Sequence, residues 1–190
     1  RARAVVAEAA GADVVLAADA CAVLAIAGAE VVVAAFGWTG EPAIQLLVPG
    51  ANEAQVATAL RVATDRQEGV WGDAESLEVL RIEAGRPRFG AELGEETLPA
   101  EVRLVESAVS FTKGCYTGQE VVARMASRGR VGHLLVGLAL EAGDAPLPAP
   151  GTQLRREGTA VGEVTSSARS PEAGPIAPRL VRAPHAAPAA

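Results

Sequence analysis

CAVLAIAGAEVVVAAF, residues 21–36, sets two short β-prone runs, 21–26 and 31–36, on either side of an Ala-Gly-Ala-Glu turn. GWTGEP (37–42) then makes a Gly/Pro-rich connection, and AIQLLVP (43–49) reads as a third strand. After PGAN, residues 52–65 place Ala54, Val56, Ala59, Leu60 and Ala63 at helical spacing, with Asn52 as N-cap. Strands followed by a helix that covers one sheet face make an α+β layer.

Further along, DAESLEVLRIEAG (73–85) predicts a second helix capped by Asp73 and closed by Gly85 before Pro87. Leu77, Leu80 and Ala84 would share its apolar face. A strand over LEVLRI is the competing reading. SAVSFT (107–112) leads into a stretch of unusual composition, and from His133 the character changes. HLLVGLAL is strand-like, DAPLPAPG is Pro-rich, and QLRREGTAVGEVTSSA reads as a hairpin turning at Glu157-Gly158. That pattern suggests a small barrel, so the expected domains are 1–131 and 132–190, with the closing Ala/Pro tail frayed.

The 190 residues are 49% hydrophobic but only 3% aromatic, so Ala and Val must fill the core with small side chains. The net charge of −6 does not suit a non-specific nucleic-acid binder. No direct DNA binding is expected; RNA contact is left to the basic strip Arg124, Arg128 and Arg130, which reads first as a solvated helix face. The apolar stretch Val14–Phe36 is interrupted by Asp13 at its edge and by Asp19 and Glu30, unlike a membrane helix. The sole methionine is Met125, so the chain lacks an initiator and reads as a fragment. Cys21 and Cys115 form no CxxC pair, and His133 and His185 lie far from both, so no metal site is expected.

FTKGCYTGQEVVAR (111–124) spends rare residues together. It holds the only lysine, Lys113, the only tyrosine, Tyr116, and one of two cysteines, Cys115. Thr117-Gly118-Gln119-Glu120 fits a capping box, which puts Cys115 just before a helix that Gly129 would stop. A helix N-terminus and a neighbouring ammonium both favour thiolate over thiol. A thiolate can attack an electrophile or exchange with disulfides. The plainer reading, a small packed residue before a capped helix, has equal standing on position alone. Cys21, in an apolar run, reads as structural.

K-G-C-Y-T-G-Q-E (113–120) resembles the signature K-G-C-[FY]-x-G-Q-E of the YgfZ family, folate-binding proteins related to the glycine-cleavage T-protein, an aminomethyltransferase. GWTGEP (37–42), LRIEAGRPRFG (80–90) and VGEVTSSARSP (161–171) are similar to further segments of that family. The resemblance implies an α+β folate-binding domain of the T-protein/YgfZ type, partial at its N-terminus, followed by a small antiparallel β-barrel. It implies a cytoplasmic protein that binds tetrahydrofolate or a derivative and helps assemble or repair iron–sulfur client enzymes, including tRNA-thiolating ones. Cys115 falls on the family's functional cysteine, with Lys113 beside it and Gly114, Tyr116, Gly118, Gln119 and Glu120 completing the motif. Glu83 falls where the relatives place a pterin-contacting carboxylate, and Arg81 of the same segment is placed with it. A carboxylate can accept two parallel N–H bonds from an aminopyrimidine edge. Trp38 and Phe89 would supply flat apolar walls. Read singly, Glu83 is also an ordinary solvated helix charge, and both aromatics are ordinary core residues. The alternative function is a folate-dependent aminomethyl or one-carbon transferase of the T-protein type.

Overall fold

The computed structural model describes residues 1–128, 131–141 and 143–186. Gly129, Arg130 and the tail from 187 onward, which carried sequence expectations, lie outside the described residues. The chain forms two compact units, Arg1–Leu77 and Glu78–Ala190. The expected division at 131 falls inside the second, where Leu135 N–H donates to Glu101 O at 2.7 Å and Ala183 N–H to Gly132 O at 3.0 Å.

In the first unit, α1 (Ala2–Ala10) precedes a three-stranded antiparallel sheet of β1 (Cys21–Ile26), β2 (Ala29–Ala34) and β3 (Gln45–Leu47), ordered β1-β2-β3. The β1–β2 turn is tighter than the four-residue turn expected. Ile26 pairs with Ala29, and Ala27 and Gly28 take left-handed φ values of 48° and 80°. Two consecutive left-handed residues match the right-handed strand twist, which a two-residue connection requires. Period-2 alternation then sends Ala29, Val31 and Val33 into the core while Glu30 and Val32 face out. Helix α2 (Glu53–Arg66) packs beside α1, and the core gathers Val6, Leu16, Ile26, Val31, Val33 and Val56. Each buried valine or leucine contributes about 1.5–3 kcal/mol. Asn52 sits at the N-cap of α2 as expected, but its side chain makes no cap bond. Cys21 is exposed on β1, not packed.

Helix α3 (Ala74–Glu83) forms where the sequence left a choice between helix and strand. Asp73 Oδ1 accepts from Ser76 N–H at 2.8 Å and from Ser76 O–H at 2.7 Å. Those bonds hold the Asp73 carboxyl below its ordinary range. The other end closes on Gly85, φ 63°, with Gly85 N–H donating to Ile82 O and Arg86 N–H to Arg81 O. The buried face is not the expected one. Leu77 and Leu80 are exposed, and Arg81 and Ile82 turn inward.

The second unit continues through α4 (Val105–Ala108) and α5 (Gln119–Arg128) into β4 (His133–Ala139), β5 (Gln153–Arg156), β6 (Thr159–Val164), β7 (Ala168–Ser170) and β8 (Gly174–Arg182). The strands run in the order β4-β8-β6-β5, with β7 also on β8, all antiparallel. Glu157 and Gly158 turn the β5–β6 hairpin with φ values of 52° and 80°, as their sequence predicts. The expected barrel is not formed. Among the described residues β4 bonds only β8 and β5 bonds only β6, so both edges stay open. The Pro-rich link between β4 and β5 has few donors to carry a ladder around, and three-residue β7 only tops the end of β8.

Gly162 of β6 lies opposite Val181 of β8 with no room for a side chain. A Cβ there would lie 2.2 Å from Leu180 O and 2.9 Å from Val181 Cα. Both neighbours are backbone of the central strand, so neither can swing aside. Gly162→Ala should destabilise the second unit by about 2–3 kcal/mol through forced separation of the two strands. Denaturant unfolding of the variant, followed through amide exchange of β8, would measure this.

Among the described residues, no helix is long and apolar enough to cross a membrane.

Candidate functional site

A helix turns 100° per residue, so positions 81 and 83 of α3 project in different directions. The structure separates their roles along that line. Arg81 is only 3% exposed and Glu92 only 1%. Arg81 Nε donates to Glu78 Oε2 at 2.7 Å, and one Nη2 N–H bonds Glu78 Oε1. Its Nη1 donates to Glu92 Oε2 at 2.9 Å and to Arg86 O at 3.0 Å, and Nη2 also reaches Ser166 Oγ at 2.8 Å. Those bonds occupy all five guanidinium donors. Ser166 in turn donates to Glu92 Oε1 at 2.6 Å, closing a ring. Arg81 therefore holds α3 to the segment after β6 and leaves no donor for a ligand.

Glu78 gives this ring an acid sensitivity. Its carboxyl lies below the ordinary 4.5, chiefly through the hydrogen bond from Arg81, against which burial works in the raising direction, with the charges of Arg81 and Arg88 adding to the lowering. A carboxylate with a depressed folded-state pKa contributes stability above its unfolded value. That contribution is lost as pH falls through the folded value. The second unit should therefore lose stability below about pH 4.5, and Glu78→Gln should flatten that slope. Denaturant midpoints collected between about pH 6 and pH 3 would show it.

Glu83, two residues on, is exposed and lines a hollow of about 320 Å³. Gly137, Leu138 and Ala139 of β4, Ser170 of β7 and Ile176 of β8 make other parts of its wall. This is a largely apolar, open recess with a helix-borne carboxylate at its side. It suits a flat heterocycle whose N–H edge meets the carboxylate. Glu172 also lines it, a residue the sequence reading passed over. Its signal was weak, an acid after Pro171 in the S-P-E-A-G turn between β7 and β8.

Phe89 is 73% exposed at a turn bridged to Leu93 and is not a core residue. Trp38, in the first unit, is 44% exposed and meets Phe36 edge-to-face with centroids 5.1 Å apart. Both rings keep free surface, which a core role would have removed.

The cysteine segment belongs to the second unit. Cys115 is exposed, and Lys113 and Gly114 flank it in the open. Lys113 Nζ stands 4.6 Å above the Tyr116 ring centre, so the only ammonium side chain in the chain is drawn to that aromatic face. Ser110 Oγ accepts from Lys113 N–H at 3.2 Å and braces the turn. The expected capping box is displaced. Gly118 takes φ 86°, a left-handed value, so α5 cannot begin before Gln119. The reciprocal bond runs instead from Tyr116 N–H to Gln119 Oε1 at 3.3 Å, one residue ahead of the Thr117–Glu120 pairing. Glu120 stands exposed in the first turn. Cys115 still lies just ahead of that N-terminus.

Two units of mixed helix and antiparallel sheet, with a carboxylate-edged hollow in the second, place the chain among α+β folds. Residues 1–113 match the family model of the GCVT N-terminal domain, and the chain belongs to that family. It is 33% identical over 166 residues to an aminomethyltransferase of Streptomyces avermitilis, covering 86% of this chain and 44% of that protein. The mitochondrial aminomethyltransferase of Homo sapiens is 33% identical over 142 residues, 71% of this chain and 32% of its own length. An uncharacterized protein of Haemophilus influenzae reaches 47% over a shorter 60 residues, 30% of this chain and 21% of that one. The solved aminomethyltransferase T of the glycine cleavage system from Bartonella henselae superposes with a TM-score of 0.63 at 23% identity, over 80% of this chain and 42% of that one. The chain thus spans less than half the length of these relatives.

Proposed function

We propose that this chain is the folate-binding part of a tetrahydrofolate-dependent protein of the T-protein type, and that its chemistry is transfer of an aminomethyl or other one-carbon unit. The observation that carries the folate reading is Glu83 at the side of an open, mainly apolar hollow. Its helix is closed at one end by Asp73 and at the other by Gly85, and Arg81 is locked two residues away, so the carboxylate is held on a rigid element. The names of the relatives support the transfer chemistry. Glu83 would orient the pterin through its aminopyrimidine edge. Phe89, exposed in the same unit, offers an aromatic face for stacking. The bound folate would supply the acceptor for the one-carbon unit. In this reading the protein works in the cytoplasm.

A second reading is favoured by one observation, the exposed Cys115 inside K-G-C-Y-T-G-Q-E. Here folate binding serves maintenance of iron–sulfur client enzymes, and the Cys115 sulfur is the reacting group with Lys113 beside it. The two readings part on one substitution. Cys115→Ser should leave folate-dependent aminomethyl transfer unchanged if transfer is the function. It should abolish rescue of a tRNA-methylthiolating enzyme in cells lacking the protein if iron–sulfur maintenance is the function. Running both assays on the parent and on Cys115→Ser decides between them.

A further inference from the structure

Beside the Glu83 hollow, and sharing Ile82, Gly137 and Pro178 with it, lies a second recess of about 390 Å³. Arg103 and Arg179 both line it, with Gly85, Leu135 and Val136 among the rest of its wall. No Asp or Glu lines it among the described residues, in a chain with 23 acidic and 17 basic residues. Arg179 Nε is buried without a hydrogen-bond partner. Burial alone pushes the Arg179 guanidinium down from its usual range, with no carboxylate to offset it. Arg103 Nε donates weakly to Leu135 O at 3.4 Å, and its terminal nitrogens form no ion pair among the described residues.

The contrast with Arg81 sharpens the point. There a buried guanidinium meets two carboxylates and a hydroxyl, with every donor used. At Arg179 a strand-borne guanidinium keeps an orphaned buried N–H and shares a cavity with a second positive charge. An N–H buried without an acceptor is costly, and the second guanidinium lining the recess makes it more favourable for an anion. A guanidinium fork is shaped to hold two oxygens of one oxyanion.

We propose that this recess is a binding site for an oxyanion, the carboxylate or phosphate group of a small ligand, held between Arg103 and Arg179. The site does not depend on the folate reading. The apolar wall at Leu135, Val136 and Ile82 would accept the carbon skeleton bearing the anion.

The test titrates the 190-residue chain with inorganic phosphate and, separately, with glutarate at constant ionic strength, while the Nε–Hε resonances of the arginines are followed. The Arg179 signal should shift saturably, with a midpoint on the order of 1–10 mM. Saturation by phosphate alone assigns a phosphate-bearing ligand and saturation by glutarate alone a carboxylate, and either result supports the site. Arg103→Gln should raise the midpoint by about fivefold or more, since it removes one of two cations. Exposed Arg155→Gln should leave it unchanged. Arg103 is exposed, so its variant keeps the test open even if Arg179 substitutions misfold. A drift that never saturates with either probe, or an unchanged midpoint in Arg103→Gln, overturns the proposal.

Discussion

Glu92→Ala should cost the second unit about 3–5 kcal/mol, the expected loss when one member of a buried ion pair is removed and the other is left charged. The carboxylate accepts from Arg81 Nη1 at 2.9 Å, Arg88 N–H at 3.0 Å and Ser166 Oγ at 2.6 Å. The substitution would leave the buried Arg81 Nη1–H and Ser166 O–H without this acceptor and release the half-buried Arg88 N–H. Glu78 would still hold one side of Arg81, which keeps the loss from being larger. Whole-domain stabilities are about 5–15 kcal/mol, so this change alone brings the unit close to unfolding. Ser166→Ala should cost less, about 1–2 kcal/mol, because it removes a neutral hydroxyl from the ring. Trp38 and Trp71 both lie in the first unit, so tryptophan fluorescence would report the wrong half of the molecule. Amide exchange of buried Val164 and Val181 is the suitable readout. A loss under about 1 kcal/mol for Glu92→Ala would mean that the buried pair is not the clamp described here.

Glu83→Ala should weaken binding of tetrahydrofolate by about 10–100-fold with little change in stability. A hydrogen bond to a charged group is worth about 1.5–3 kcal/mol, and each 1.4 kcal/mol is a factor of ten in affinity. Glu83 is exposed at its helix end and has no ion pair among the described residues, so the fold has little to lose. Glu83→Gln should fall between, since an amide oxygen accepts one N–H but its own NH2 opposes the second. Calorimetry on the three proteins would rank them; equal affinities would remove Glu83 from the site. Arg81→Ala offers the converse pattern. It should unfold the unit before it alters binding, because every donor of Arg81 is engaged within the protein.

That difference between neighbours marks the limit of what the sequence could reveal. Local signals read well where they depend only on nearby residues. The Asp73 cap, the Gly85 stop and the Glu157-Gly158 turn each follow from backbone chemistry within four or five positions. The β1–β2 hairpin is legible for the same reason. The buried face of α3 is not, because apolar Leu77 and Leu80 lose to Arg81, whose partners Glu92 and Ser166 stand 11 and 85 residues away. Helix α1 is Ala-rich with little polar contrast and carried no readable face. Strand β8 was hidden by its own prolines. Pro175 and Pro178 argue against a central strand, yet Pro178 sits opposite Gly137 and its carbonyl accepts from both the N–H and hydroxyl of Thr165. The barrel was expected from the strand pattern after His133 and from the resemblance, but edge pairing is a long-range property that no local pattern reports. The cysteine motif was found because its residue types are rare here. Its helix start was misplaced by the left-handed Gly118, which a capping-box pattern does not reveal.

The claim on which the account rests is that the hollow beside Glu83 receives a reduced folate. The most direct measurement is a tetrahydrofolate titration of the chain followed by amide resonances. Saturable shifts centred on Gly137, Leu138, Ala139 and Ser170, absent in Glu83→Ala, are the predicted result. Saturable shifts that leave those four amides still, or none at all up to millimolar folate, would contradict it.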